Sequence, residues 1–432
     1  MNPLHIGIFG CLALLLLLFT SMPVAFAMIA VGVAGFAWIV TPQAAFSMVV
    51  ADLYDTFSSY SLTVIPLFVF MGQVAFHAGI SRRLFKTAYT WIGHLPGGLA
   101  MATVGACTGF GAICGSGPAT AATMASVALP EMRRYGYSDE LASGSVAAGG
   151  SLGMLIPPSV VFIVYAIMTE QSIGALFLAG ILPGVLIALL FCLSIYLRCR
   201  VHKAMGPPGP RMSWLERLRS LNGVVETLLL FVAVIGGMFV GLFTPIEAAA
   251  IGAAGSLVIA AVRRQLSRQG MIGILLETVR TSAMVFFIVA GAVVFGRFLA
   301  VSQIPFAVAE WLTGLPLPGW VVMFLIIAFF LVAGCFIDAL AVVLLTIPIF
   351  YPVVLELGYN PVWFGVMVVV VTQMGVITPP VGMNVYVVSG IGRGIPLQSI
   401  FRGSLPFLLM LLLAAVILVF FPGITLLLPG AS

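Results

Sequence analysis

Charge is the scarcest thing in this chain. Only 7% of its 432 residues are Asp, Glu, Lys or Arg, where a soluble domain carries about 25%. With 62% hydrophobic residues and a mean hydropathy of +1.22, the sequence is that of a polypeptide living in lipid. Histidine is nearly absent: His5, His77, His94 and His202 fall at expected helix ends or loops, which leaves no nucleophile–base constellation or His-bound metal for a membrane enzyme. The six cysteines, Cys11, Cys107, Cys114, Cys192, Cys199 and Cys335, show no paired metal-ligand spacing and read as free buried thiols. A polar stretch long enough to fold alone is also missing. The longest, Arg198 to Ser220, contains Pro207, Pro208, Gly209 and Pro210 and reads as a linker. The first apolar run, Leu4 to Phe19, lacks a basic leader, and Pro23 plus a second apolar run follow it, so it is expected to stay as a first helix. The net charge of +5 needs no nucleic-acid partner, because cytoplasmic loops of membrane proteins collect Lys and Arg.

What the chain does have is apolar runs of about twenty residues, one membrane span each, recurring from residue 4 to residue 428. It also has a repeat. Pro157-Pro158 returns 222 residues later as Pro379-Pro380, and the same offset carries Gly153 to Gly375, Gly136-Tyr137 to Gly358-Tyr359, Pro130 to Pro352, and Leu95-Pro96-Gly97 to Leu317-Pro318-Gly319. An ungapped register of Gly and Pro over such a length points to duplication. Loop charge then gives orientation. Arg82, Arg83 and Lys86 correspond to Ile304, Pro305 and Val308, and Arg133-Arg134 to Leu355-Glu356; conversely Arg263, Arg264 and Arg268 correspond to Thr41, Pro42 and Phe46, and Arg393 to Gln171. Because Lys and Arg mark the cytoplasmic side, the two halves are expected to insert upside down relative to each other.

The expected fold is therefore an all-α polytopic protein of the bacterial inner membrane, built from two inverted repeats, residues 1–210 and 222–432, joined by a cytoplasmic amphipathic linker at 211–221. About ten transmembrane helices are expected, near 4–20, 23–41, 61–80, 139–169, 176–197, 222–243, 245–262, 281–301, 361–391 and 403–428. Two further segments, 98–132 and 320–354, are flanked on both ends by loops of one side and read as re-entrant helical hairpins. Short interfacial helices at 85–94 and 307–315 would anchor Trp91 and Trp311, and both termini would be periplasmic.

Backbone interrupted inside a bilayer must be buried in protein or line a wet cavity, so interruptions point to sites. Gly115-Ser116-Gly117-Pro118-Ala119-Thr120 reads as the tip of the first hairpin: glycines permit the reversal, Pro118 starts the next helix, and Ser116 and Thr120 offer hydroxyls beside N–H groups that would face an anion. A small-residue packing face is the alternative. In the segments 139–169 and 361–391 the diprolines Pro157-Pro158 and Pro379-Pro380 free carbonyls that suit a hard cation, and Thr378 and Asn384 add a hydroxyl and an amide; plain proline kinks are the alternative. Asp338, the repeat mate of Ser116, is an acid inside an apolar run that could join a cation site, relay a proton or cap its own helix. Arg297, near the outer end of its span, reads as snorkelling, and Glu247 after Thr244 as a capping box.

The residues Gly111 to Pro130 with Arg133-Arg134-Tyr135-Gly136-Tyr137, then Gly150 to Pro158, then Thr378-Pro379-Pro380-Val381-Gly382-Met383-Asn384, resemble the large membrane subunit of tripartite ATP-independent periplasmic (TRAP) transporters, the DctM-like family. That resemblance spans nearly the whole chain. It implies a sodium-coupled importer of organic acids, such as a C4-dicarboxylate, a sialic or other sugar acid, or a keto acid. The mechanism it implies is an elevator, in a fold of the ion-transporter-superfamily kind, and two partners, a periplasmic substrate-binding protein and a small four-helix membrane subunit. It places one Na+ near Gly334, Gly375, Thr378 and Val381, and by the repeat a second near Ala112, Gly153, Ile156 and Ser159. Substrate would lie between the tips, among Gly115, Ser116, Gly117, Thr120, Asp338 and Asn384. A stand-alone carboxylate transporter or ion antiporter without a binding protein is the rival reading.

Overall fold

The computed structural model describes residues 2–20, 22–314 and 316–430. Among them every regular element is a helix, as a lipid-facing chain requires, since only a helix satisfies its backbone within one segment. Seven of these helices are long and apolar enough to cross a membrane. Length alone does not separate spans from hairpins, because both arms of the second hairpin, Gly319–Phe336 and Ala339–Glu356, pass the same test. What separates them is the turn. The arms Gly98–Cys114 and Gly117–Arg134 of the first hairpin meet at two residues, Gly115 with φ +65° and an extended Ser116, and the second pair meets at Ile337 and Asp338.

The two diproline segments interrupt their helices. Asp139–Ser151 gives way to a single 3-10 turn, Leu152–Met154, before Val160–Thr169 resumes; Pro361–Gly375 stops and Met383–Ile391 resumes. Pro157-Pro158 and Pro379-Pro380 are both cis. Around these pieces the helices Ile173–Val201 and Leu397–Phe420 pack tightly. A Cβ on Gly144 would lie 2.3 Å from the Gly403 backbone, and Phe191 meets Phe407 edge-on. Tyr165 donates across the repeats to the Pro361 carbonyl at 2.7 Å. Hairpins, broken helices and these two helices thus form one body.

A second body surrounds it. Val24–Ile39 packs against the 35-residue helix Arg268–Ser302 through close backbone approaches, with Gly32 against Val294 and Gly291 against Ala25. Val64–His77 packs against Pro245–Val262, where Gly252 accommodates the Met71 sulfur. The linker is strapped beneath the first hairpin: Gly97 N donates to Gly206 O at 2.9 Å, Gly209 N to Gly93 O at 2.8 Å, and the Tyr137 hydroxyl accepts from Leu99 N and donates to Pro207 O, both at 3.1 Å.

Some elements differ from the sequence reading. A helix Pro42–Ser58, not expected, lies against Arg268–Ser302 through Phe57 and Phe287. Its Asp52 is 5% exposed and pairs with Arg297 at 3.3 Å, so Arg297 has an ion partner rather than only snorkelling into water. The expected span 281–301 begins thirteen residues earlier, at Arg268. The span expected at 222–243 is Val225–Phe231, one π-helical turn Val232–Gly236 and Gly237–Phe239. The Glu247 capping box is present, with Thr244 N donating to the carboxylate at 2.8 Å. Of the two interfacial helices, Ile80–Ile92 carries Trp91 against Trp214, and Ile304–Thr313 exposes Trp311; residue 315, the end of the expected second segment, lies outside the described residues.

Candidate functional site

The first tip is held against the first break by glycines. A Cβ on Gly111 would lie 2.7 Å from Gly153 Cα, and one on Gly153 would lie 2.6 Å from Thr120 Oγ1 and 2.9 Å from Ser116 O. Only hydrogen at these positions lets the backbones touch. Val160 N, where the broken helix restarts, donates to Gly115 O at 3.3 Å, and a Cβ on Gly115 would meet Pro158 O at 2.4 Å. Thr120 donates to Ser116 O at 2.7 Å, and the Ser159 hydroxyl donates to the Met154 carbonyl. Ile156 is buried against Gly184.

The second tip repeats the arrangement. A Cβ on Gly375 would lie 2.4 Å from the carbonyl carbon of Gly334, and Val381 N donates to Cys335 O at 3.2 Å. The Thr378 hydroxyl donates to Met374 O at 2.6 Å. Asp338 caps the second arm, accepting from Leu340 N at 3.1 Å.

One register detail departs from the repeat arithmetic. Gly334 is the mate of Ala112 by the 222-residue offset, yet it is Gly111 that touches Gly153. The Ala112 side chain faces Met71, Pro158 and Leu230 instead. Its Cβ would not fit the glycine contact, so the close approach sits one residue earlier in the first half.

Both tips open on one cavity of about 320 Å³. Gly115, Ser116, Gly117 and Pro118 line it from the first hairpin and Asp338, Ala339 and Leu340 from the second. Thr120 and Asn384 do not line it. Thr120 is turned back onto the Ser116 carbonyl and Gly153, and Asn384 is fully buried, its amide donating to Ala147 O at 3.0 Å. The opposite wall belongs to the surrounding body and was missed by sequence reasoning: Gln73, Glu277 and Thr281. A signal was present, since Glu277 and Thr281 are an acid and a hydroxyl one helical turn apart just where an apolar run starts. The lining holds two carboxylates and no Lys, Arg or His. Positive potential comes from the start of the helix Gly117–Arg134, which has no side-chain cap and whose free N–H groups favour an anion; the start of Ala339–Glu356 is already capped by the Asp338 carboxylate. A larger groove, about 800 Å³, runs between Pro3–Phe19 and Val24–Ile39, but its lining from Ile6 to Trp38 is wholly apolar and offers nothing to hold an anion.

A family model for the DctM component of tripartite ATP-independent periplasmic transporters matches residues 11–424. The chain belongs to this family. It is a multi-pass inner-membrane permease component and not an enzyme. Among its relatives, the C4-dicarboxylate TRAP transporter large permease protein DctM of Pseudomonas aeruginosa is 41% identical over 88% of both chains. The sialic acid TRAP transporter large permease protein SiaM of Vibrio cholerae is 37% identical over 98% of this chain and 97% of its own. The ectoine/5-hydroxyectoine large permease protein UehC of Ruegeria pomeroyi is 33% identical over 96% of each. Among solved structures, the YdaH transporter of Alcanivorax borkumensis superposes on this DctM-family chain with a TM-score of 0.64 over 89% of both chains at 16% identity, a likeness of fold.

Proposed function

We propose that this chain is the large subunit of a sodium-coupled importer of small organic acids, working with a periplasmic binding protein and a small membrane subunit. The observation that carries the proposal is the meeting of two pseudo-symmetric tips in one cavity, each tip locked to a broken helix. Ser116 and the uncapped start of Gly117–Arg134 would receive the carboxylate, beside Gly115, Gly117 and Asp338. Relatives named for C4-dicarboxylates, sialic acid and ectoine support a small acid or zwitterion as cargo.

Sodium would bind at the two tip–break contacts. In the second, Gly334 and Gly375 leave a cradle that a Cβ would fill, and Thr378, with its proton committed to Met374, keeps lone pairs for a cation; Val381 closes the set. The first would use the region of Ala112, Gly153, Ile156 and Ser159. Oxygen-only donors match a hard cation.

The body of hairpins and broken helices would move as an elevator against the surrounding helices. Gln73 lies one turn before the end of a helix that runs into Arg82 and Arg83, and Glu277 lies in the first third of a helix that starts at Arg268 after Arg263 and Arg264. Taking the basic ends as cytoplasmic, the cavity faces inward.

The test is uptake into proteoliposomes holding all three components, with labelled succinate, N-acetylneuraminate and ectoine under an imposed Na+ or K+ gradient. Uptake is expected only with inward Na+ and to fall at least tenfold in Thr378→Val and Ser116→Ala. Full transport by both variants would remove the site assignment, and transport without a binding protein would favour a stand-alone carrier.

A further inference from the structure

The cavity is electrostatically lopsided. The body carrying the tips offers a free helix start and the Ser116 hydroxyl beside the capping carboxylate of Asp338, and the one charged residue contributed by the facing wall is a further acid, Glu277. Its side chain is 53% exposed, and its nearest counter-charge, Arg280, sits one turn along the same helix at 4.0 Å and is itself 83% exposed, outside the cavity lining. So distant and solvated an ion pair neutralises little. An anion seated at the tips therefore meets a second carboxylate across the cavity only when the cavity stands beside Glu277.

We infer that Glu277 is a release residue: its negative charge repels the organic anion from the inward-facing cavity and keeps it from lodging on the stationary wall. The inference rests on the site and orientation proposed above. In the outward-facing arrangement of an elevator the tips leave this stretch of the helix, so Glu277 opposes the anion at the discharging end alone. Thr281 and Gln73, uncharged neighbours on the same wall, complete a surface that wets the anion without binding it by charge.

The consequence is an asymmetry between the two faces of the membrane. Removing the charge should leave loading from outside nearly as it was and make the inner cavity retain its cargo. The experiment is net Na+-driven uptake by the reconstituted three-component complex into vesicles preloaded with graded internal substrate, using whichever of succinate, N-acetylneuraminate or ectoine the wild type imports. In Glu277→Gln the internal concentration that halves influx is expected to fall about fivefold, and further in Glu277→Lys, with the external KM changed less than twofold. Arg280→Ala, which removes a counter-charge that neutralises little, should leave it within about twofold of wild type. Glu277→Asp, which keeps the charge, should restore the wild-type value and separates a charge effect from a folding defect. An unchanged internal half-inhibition in Glu277→Gln that still transports would overturn the release role. So would parallel shifts of internal and external constants. Failure of the underlying reading looks different: the wild type itself would import none of the three acids.

Discussion

Replacing Gly375 by alanine puts a methyl group 2.4 Å from the Gly334 carbonyl carbon, 2.5 Å from its oxygen and 2.7 Å from its Cα. All three neighbours are backbone, so no rotamer change relieves the clash. Ordinary contact between such atoms is about 3.5–4.0 Å, so hairpin and broken helix must separate by roughly 1 Å. Overpacking of this kind costs about 1–3 kcal/mol. If the Gly334 carbonyl at this contact is part of the second sodium cradle, pushing it away by about 1 Å would weaken the ion site as well, and a loss of about 3 kcal/mol there would be about a hundredfold in binding. Sodium present at 100 times its dissociation constant stabilises a protein by about 2.7 kcal/mol, nearly all of which such a variant loses at the same concentration. The assay is thermal unfolding of the purified protein in detergent, in NaCl against KCl at equal ionic strength. Wild type should melt higher in NaCl, and Gly375→Ala should show only a small residual Na+ increment, about 0.4 kcal/mol. Gly296→Ala is the control, since its Cβ would meet nothing within 4 Å. A Gly375→Ala protein with the wild-type sodium midpoint would refute the placement of the cradle.

Two further outcomes follow from contacts away from the cavity. Asp52 is 5% exposed and has one carboxylate oxygen without a partner, so Arg297→Ala strands its charge; because Arg297 is itself 61% exposed, the loss is expected between that of a fully buried and of an exposed pair, roughly 2 kcal/mol, and Asp52→Asn in the same background should restore most of it in thermal melts. Tyr137→Phe removes the acceptor of Leu99 N and the bond to Pro207 O, so the linker strap should loosen by about 1–2 kcal/mol and trypsin should cut faster at Arg211. Burial pushes the Tyr137 phenol up to about 12, against the opposing Leu99 N–H bond. Its contribution is therefore whole below pH 10, the ordinary tyrosine value, and is lost as pH rises towards 12; cleavage at Arg211 should accelerate over that window in wild type and not in Tyr137→Phe.

Much of the architecture was legible because lipid leaves few choices. Gly and Pro stand at the tips and breaks for steric reasons that survive duplication, so Gly115, Pro157-Pro158 and Pro379-Pro380 mark interruptions wherever they occur. The facing wall was only faintly legible. Glu277 and Thr281 one turn apart were a signal, but they sit in the first third of a continuous helix with a basic start, and nothing in the sequence says that a hairpin tip comes to rest opposite them. Pro42–Ser58 was missed for a related reason: with Asp52 and Asp55 it is too polar for a span, and its partner Arg297 lies 245 residues away. Thr120 and Asn384 show the reverse error. Their side chains belong to interrupted segments by sequence, but the helix geometry turns Thr120 onto its own carbonyl and Asn384 onto Ala147.

The two halves are alike in backbone and unlike in charge, and that difference bears on coupling. At equivalent positions the first tip carries Ser116 and the second Asp338, and both line the cavity. An organic anion placed between them would sit beside Asp338, where two like charges about 6 Å apart at an effective dielectric of about 20 repel by about 3 kcal/mol. That is more than a hundredfold in affinity, and no Lys, Arg or His in the lining offsets it. Helix starts contribute about half a charge each, enough to offset one carboxylate but not two. On the proposed coupling, a cation at either tip–break contact would supply what is missing, and only while bound. Cargo binding would then be weak without the ion and strong with it as a matter of charge balance, with no conformational signal required. Asp338→Asn is accordingly expected to loosen the coupling, retaining uptake while reducing its dependence on Na+, whereas a purely structural cap at that position would leave the sodium dependence of any surviving uptake unchanged.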